Sequence, residues 1–161
     1  MTRCRVGIAE YRIGRNPGVF KAAGLGSCLA VSLYDPTLGL GGLAHTLLPG
    51  RSKRGSGESA AKFVEDAIDE MYRGLLSEGA DPARLVAKLA GGANMFETEF
   101  LSQVNGIGAR SAHSARLALA ALGIPLEAED VGGNRGRTVE FDLATGVLIV
   151  YCARDATTLR L

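Results

Sequence analysis

Between residues 58 and 76 the apolar side chains recur as one helical stripe. Ala60, Phe63, Val64, Ala67, Ile68, Met71, Tyr72 and Leu75 fall at i, i+3, i+4 and i+7, while Glu65, Asp66, Asp69 and Glu70 take the opposite side. The spacing predicts a helix over 58–76, capped by Ser56 or Ser59 and stopped by Gly79 ahead of Asp81-Pro82. The Ala- and Leu-rich run 109–122, ended by Gly123 with Pro125 beyond, predicts a second helix. Shorter apolar or alternating runs predict strands over 28–34, 40–48, 85–90, 126–131, 138–143 and 147–151, the last two joined as a hairpin through Ala144-Thr145-Gly146. The polar, glycine-containing stretch 50–57 reads as a mobile surface loop.

Helices and strands interleave irregularly and no fixed-period repeat is visible, so the pattern predicts the α+β class. With 161 residues the whole chain, 1–161, is expected to form a single domain of β-sheet layers covered by helices. Hydrophobic content of 47% against 22% charged is enough to bury a core. The 18 Lys and Arg nearly cancel the 17 Asp and Glu, leaving +1, so the overall field does not favour nucleic acid as a partner. Glu10 and Arg12 interrupt any apolar leader near the start, and no apolar run approaches the ~20 residues that cross a bilayer, so membrane insertion is not expected. Cys4, Cys28 and Cys152 are odd in number, far apart and without CxxC spacing, which fits neither a disulfide framework nor a zinc site and points to a reduced, cytoplasmic compartment.

Chemistry concentrates in two segments. Gly24-Leu25-Gly26-Ser27-Cys28 sets a thiol directly after a glycine-rich turn, whose backbone amides at Gly26 and Ser27 can face a developing oxyanion. Gly41-Gly42-Leu43-Ala44-His45-Thr46 leaves an imidazole among small residues. A thiol becomes a strong nucleophile beside an imidazole, so Cys28 and His45 suggest a nucleophile and base. The same residues also read as a small buried hydrophobe and a satisfied core histidine.

These segments, with Val31-Ser32-Leu33-Tyr34-Asp35-Pro36 and Gly42-Leu43-Ala44-His45-Thr46-Leu47-Leu48-Pro49, resemble the chemoreceptor glutamine deamidase family, CheD. The resemblance continues through Asn16-Pro17-Gly18, Gly91-Gly92-Ala93-Asn94-Met95-Phe96, Ile107-Gly108-Ala109-Arg110 and Glu129-Asp130-Val131-Gly132-Gly133-Asn134-Arg135-Gly136-Arg137, so it covers nearly the whole chain. It implies the deamidating-toxin/CheD cysteine hydrolase fold, Cys28 as nucleophile and His45 as general base and acid. It also implies conversion of receptor glutamines to glutamate without metal or organic cofactor. The implied partners are methyl-accepting chemoreceptor cytoplasmic helices and a CheC-type phosphatase. One position departs from the family: a threonine stands six residues before its cysteine, where this chain has Ala22. The histidine is then expected to be oriented by a backbone carbonyl of the Lys21-Ala22-Ala23 segment, or activity to be weakened. That departure sustains a rival reading, a chemotaxis docking module with little or no catalysis.

The remaining features have plainer readings. Gly91-Gly92-Ala93-Asn94 reads as a tight turn. Gly132-Gly133-Asn134-Arg135-Gly136-Arg137 lacks the order of a phosphate-binding loop and a following helix. His113 falls on the surface of the second helix, Cys4 and Cys152 read as structural, and the Arg51–Arg54 run reads as a solvated loop able to meet an acidic receptor region.

Overall fold

The structure, a computed structural model, describes residues 2–53, 57–95, 106–152 and 157–161. Its strands are β1 (Arg3–Arg5), β2 (Glu10–Arg15), β3 (Val19–Leu25), β4 (Leu29–Asp35), β5 (Leu40–Thr46), β6 (Val86–Gly91), β7 (Leu126–Val131), β8 (Arg137–Asp142), β9 (Leu148–Cys152) and β10 (Thr158–Arg160). Its α-helices among the described residues are α1 (Val64–Ser77) and α2 (Ile107–Ala121). The strands form two mixed sheets, ordered β1-β3-β8-β9-β10 and β2-β5-β4-β6-β7. The α+β class expected from the sequence is what the chain adopts.

Alternation along β4 explains the layering. Leu29, Val31 and Leu33 enter the core shared with Ile68, Met71, Leu75, Ala115 and Leu119 of the helices. Cys28, Ala30 and Tyr34 enter the core shared with Phe20, Ala22, Val139, Phe141 and Val150 of the other sheet. The β2-β5-β4-β6-β7 sheet is therefore the middle layer, covered by helices on one face and by the second sheet on the other. Both faces being dry, β4 and β5 are buried at every position. The paired glycines of β5 make the close approach possible. A Cβ on Gly41 would lie 2.9 Å from Leu33 O, from Phe141 Cε2 and from Tyr34 Cδ1, and one on Gly42 would lie 3.0 Å from Met71 Sδ.

The start of the first helix differs from the expected one. Residues 60–62 form a short 3-10 turn, and Phe63 is extended at φ −106°, ψ 136° before α1 begins at Val64. The reason is competition for the end of β5: Leu47 N and Leu48 N both donate to Lys62 O, and Val64 N donates back to Leu48 O. These bonds also end β5 at Thr46 rather than at residue 48. Ser59 does not cap a helix; its hydroxyl donates to Ala9 O at 2.8 Å. Ser56 lies outside the described residues. The stops behave as expected, with Ala80 N donating to Leu75 O after Gly79 and Ile124 N to Leu119 O after Gly123. The β8–β9 hairpin also forms.

Strands β1, β2, β3 and β10 were not expected from the sequence. In the described part of the 50–57 loop, Arg51 lies near Glu65, Asp66 and Asp69, at 3.2, 3.8 and 3.2 Å, and Ser52 N donates to Asp66 Oδ2 at 2.7 Å. That segment is tied to the first turns of α1, and its first cation is already partnered.

Candidate active site

The β4–β5 ladder brings the two chemical residues together. His45 lies opposite Ala30, and Cys28, the residue just before β4, shares Ala30's core two positions earlier; continuing the register makes it the diagonal neighbour of His45. Diagonal neighbours in an antiparallel pair stand roughly 7–8 Å apart at Cα, within reach of long side chains. Cys28 is 7% exposed and His45 is 1% exposed.

His45 is anchored from one side. Its Nδ1 lies 3.2 Å from Val6 O. A carbonyl only accepts, so this contact requires the proton on Nδ1 and leaves the lone pair on Nε2. Nε2 is buried and has no hydrogen-bond partner among the described residues. The Val6 carbonyl is itself fixed, because Val6 N donates to Lys21 O at 2.7 Å. Three residues on, Ala9 N donates to His45 O at 2.8 Å while Ala9 holds the left-handed φ of 62°. The segment 6–9 thus straps the histidine in place by its own main chain.

Burial sets both protonation states. Desolvation pushes the Cys28 thiol above its ordinary value of 9.0, opposed weakly by its own backbone N–H. Desolvation pulls His45 below 6.5, against the Val6 carbonyl and the nearby Glu10 charge. The resting pair is a neutral thiol beside a neutral imidazole whose Nε2 can take a proton.

The turn before Cys28 is fastened to the glycine-rich segment 91–94, and through it to 132–133. Gly26 N donates to Gly24 O at 3.1 Å, Ala93 N to Gly26 O at 2.9 Å, and Gly92 N to Cys28 O at 2.8 Å. The Gly26 N–H, expected to face an oxyanion, is therefore engaged within the turn. The Ser27 and Cys28 amides have no carbonyl partner among the described residues, the Cys28 N–H facing its own sulfur. Gly91 is obligatory here: at φ 107°, a Cβ would sit 2.5 Å from Cys28 O. Gly132 N donates to Gly91 O, and Asn94 N to Gly133 O.

Arg137 ties these loops from beneath. It is 7% exposed, and its guanidinium donates to Asp130 Oδ2 at 3.0 Å, Gly91 O at 3.2 Å and Gly132 O at 2.9 Å. The segment 132–137, which lacks the order of a phosphate-binding loop, is thus a structural clasp.

Ala22 is fully buried on β3, opposite Val139 and in the same core as Cys28. The acceptor at His45 Nδ1 is the Val6 carbonyl, not a carbonyl of residues 21–23, although one hydrogen bond from Val6 to Lys21 joins the two segments. Sequence reasoning missed Val6, whose contribution is a main-chain atom without a sequence signature. It also missed Arg137, for which the neighbouring Glu129-Asp130 pair was the available hint. Thr46, beside His45, donates its hydroxyl to Leu29 O at 2.8 Å and closes the ladder end. His113 is exposed, and Cys4 and Cys152 are free thiols. Phe96 lies outside the described residues. Among the described residues, no helix is long and apolar enough to cross a membrane.

Comparison with known proteins adds a separate line of evidence. The family profile described as CheD chemotactic sensory transduction matches residues 47–151. A Geobacter metallireducens protein named probable chemoreceptor glutamine deamidase CheD 2 is 51% identical over 146 residues, covering 90% of each chain. The Thermotoga maritima chemoreceptor glutamine deamidase CheD is 42% identical over 145 residues, covering 90% of this chain and 88% of its own. A Moorella thermoacetica protein named probable chemoreceptor glutamine deamidase CheD is 47% identical over 148 residues, covering 91% and 88%.

Proposed function

Because the chain belongs to the CheD family, we propose that it hydrolyses the side-chain amide of glutamines in the cytoplasmic helices of methyl-accepting chemoreceptors, with Cys28 as nucleophile and His45 as general base and acid. The observation that carries the assignment of roles is the anchored imidazole. Nδ1 is committed to Val6 O, and the buried, unpartnered Nε2 lies on the face of the sheet that carries Cys28.

The reaction follows from those positions. As substrate enters, Nε2 takes the Cys28 proton, and the thiolate forms a bond to the glutamine Cδ. The carbonyl oxygen becomes an oxyanion facing the Ser27 and Cys28 amides. The imidazolium then gives its proton to the departing nitrogen, ammonia leaves, and a thioester remains. Water, deprotonated by Nε2, attacks that thioester; the proton returns to sulfur as the C–S bond breaks. Glutamate is released, and both groups regain their starting states. The neutral imidazole makes the first step possible without a standing thiolate, which the desolvated position of Cys28 disfavours. The whole chain serves as one deamidase domain, needs no metal or organic cofactor, and works in the cytoplasm beside a CheC-type phosphatase.

The test is incubation with a chemoreceptor cytoplasmic fragment, read by mass spectrometry for the ~1 Da gain of each amide hydrolysis. Cys28→Ala and His45→Ala should each abolish the gain. A fragment that binds but keeps its mass would replace this reading with the docking module.

A further inference from the structure

The outer face of the β1–β3 pair carries a groove of about 350 Å³ lined by Arg3, Cys4, Arg5, Val19, Lys21 and Ala23. Arg5 and Lys21 are registered side by side across the two strands. Like charges so placed repel, which gives the pair no reason to exist as packing. Both are exposed, and neither has an ion pair among the described residues. Arg3 holds Glu140 loosely at 3.6 Å, with its own side chain 66% exposed. Arg12 adds a fourth cation at the edge, its Nε donating to Arg5 O. Two carboxylates face this side from β8. Glu140 is opposite Lys21 in register but pairs with Arg3, whereas Asp142 is turned into its own hairpin, accepting from Ala144 N. A local cationic excess on a chain of net charge +1 marks this face off from the rest of the surface.

The direction of the groove matters as much as its charge. β1 and β3 run parallel, so both leave it at the same end of the sheet. There β1 leads directly into Val6, whose carbonyl holds His45, and β3 into the Gly24–Cys28 turn. We propose that the groove binds a carboxylate-bearing segment of the protein substrate, chiefly glutamate side chains, and aligns that segment with Cys28. Val19 and Ala23 supply an apolar floor for an aliphatic stem, and the guanidinium and ammonium groups take the carboxylate. A floor of that kind suits a glutamate better than a phosphodiester backbone. This inference deepens the deamidase reading and rests on it.

The experiment compares the wild-type chain with the double variant Arg3→Gln/Lys21→Gln on a receptor fragment, at about 50 mM and about 300 mM salt. Two lost rim charges should raise KM roughly two- to tenfold at low salt, leave kcat unchanged, and lose their effect at high salt. Arg73→Gln, on the exposed side of α1, should change neither. Equal KM and equal salt response for wild type and double variant would overturn the groove. Polyglutamate should compete with the fragment for the wild type and much less for the double variant. Competition by a polynucleotide but not by polyglutamate would also overturn it. If the wild type adds no mass to the fragment, the deamidase reading fails, and fragment affinity then decides the groove: weaker binding by the double variant supports it and equal binding rejects it.

Discussion

Replacing Arg137 by methionine removes the clasp beneath the three loops while keeping a side chain of similar length. The guanidinium makes four bonds of 2.9–3.4 Å, to Gly132 O, Asp130, Gly91 O and Arg135 O. Their loss is unequal. Gly91 O keeps the Gly132 N–H as a donor. Asp130, with its side chain 25% exposed, regains water. Gly132 O is half-buried and loses its side-chain donor. Breaking a buried charge pair costs on the order of 3–5 kcal/mol, and the partial rehydration places this site at the lower end, about 3 kcal/mol. For a chain of this size that is a fall of roughly 6–12 °C in Tm. Arg137→Lys should fall between, because a point ammonium cannot meet four divergent acceptors. Deamidation should drop further than the folded fraction explains, since Gly92 N, one residue from the clasped Gly91 carbonyl, holds Cys28 O. Thermal unfolding and the receptor-fragment assay read the two effects separately. A Tm within about 2 °C of wild type with unchanged deamidation would refute the clasp.

Four further predictions concern the site itself. With His45 held below 6.5 by burial, kcat/KM should rise along an acid limb whose midpoint lies below pH 6.5 and stay level through neutrality. The same shift makes the His45 contribution to stability complete above pH 6.5 and progressively lost as pH falls through its folded value. The raised Cys28 thiol contributes below pH 9.0 and loses that contribution as pH rises through its own folded value. A Tm-against-pH curve checks both signs, and His45→Ala should erase the acid-side loss. Gly91→Ala, forced at φ 107° against Cys28 O, should cost about 1–2 kcal/mol from the backbone alone and slow Cys28 alkylation or deamidation by moving the thiol. Ala22→Thr should alter kcat by less than about threefold, because the Val6 carbonyl already holds Nδ1, while burying its hydroxyl costs roughly 1–3 kcal/mol seen as a lower Tm.

What the sequence made legible follows from side-chain pattern. The middle-layer strands β4 and β5 and the stripe of α1 are long apolar signals; the structure has the strands within two residues of the expected limits and the helix with an end within one residue of the expected one but a start six residues late. β2 and β3 escaped because their inward positions are small or diluted: Ala22 on β3 is as buried as any leucine but carries little signal, and Gly14 and the arginines blur β2. The first turn of the expected helix was lost to a contest for backbone partners at Lys62 O, which no side-chain period encodes. At the site, Cys28 and His45 stood out by residue type. The Val6 carbonyl did not, because every residue has one.

The interval between Cys28 and His45 acts as a ruler folded at its middle. Seven residues of β4 run down, four form the bend at positions 36–39, and five of β5 run back before His45. The bend lies at the opposite end of the ladder from the two reacting groups, so residues added there lengthen the interval without moving either group. One residue inserted inside either strand, between the bend and the site, turns the side chain beyond it onto the helical layer. Distance along the chain is therefore negotiable in this protein; parity across the hairpin is not.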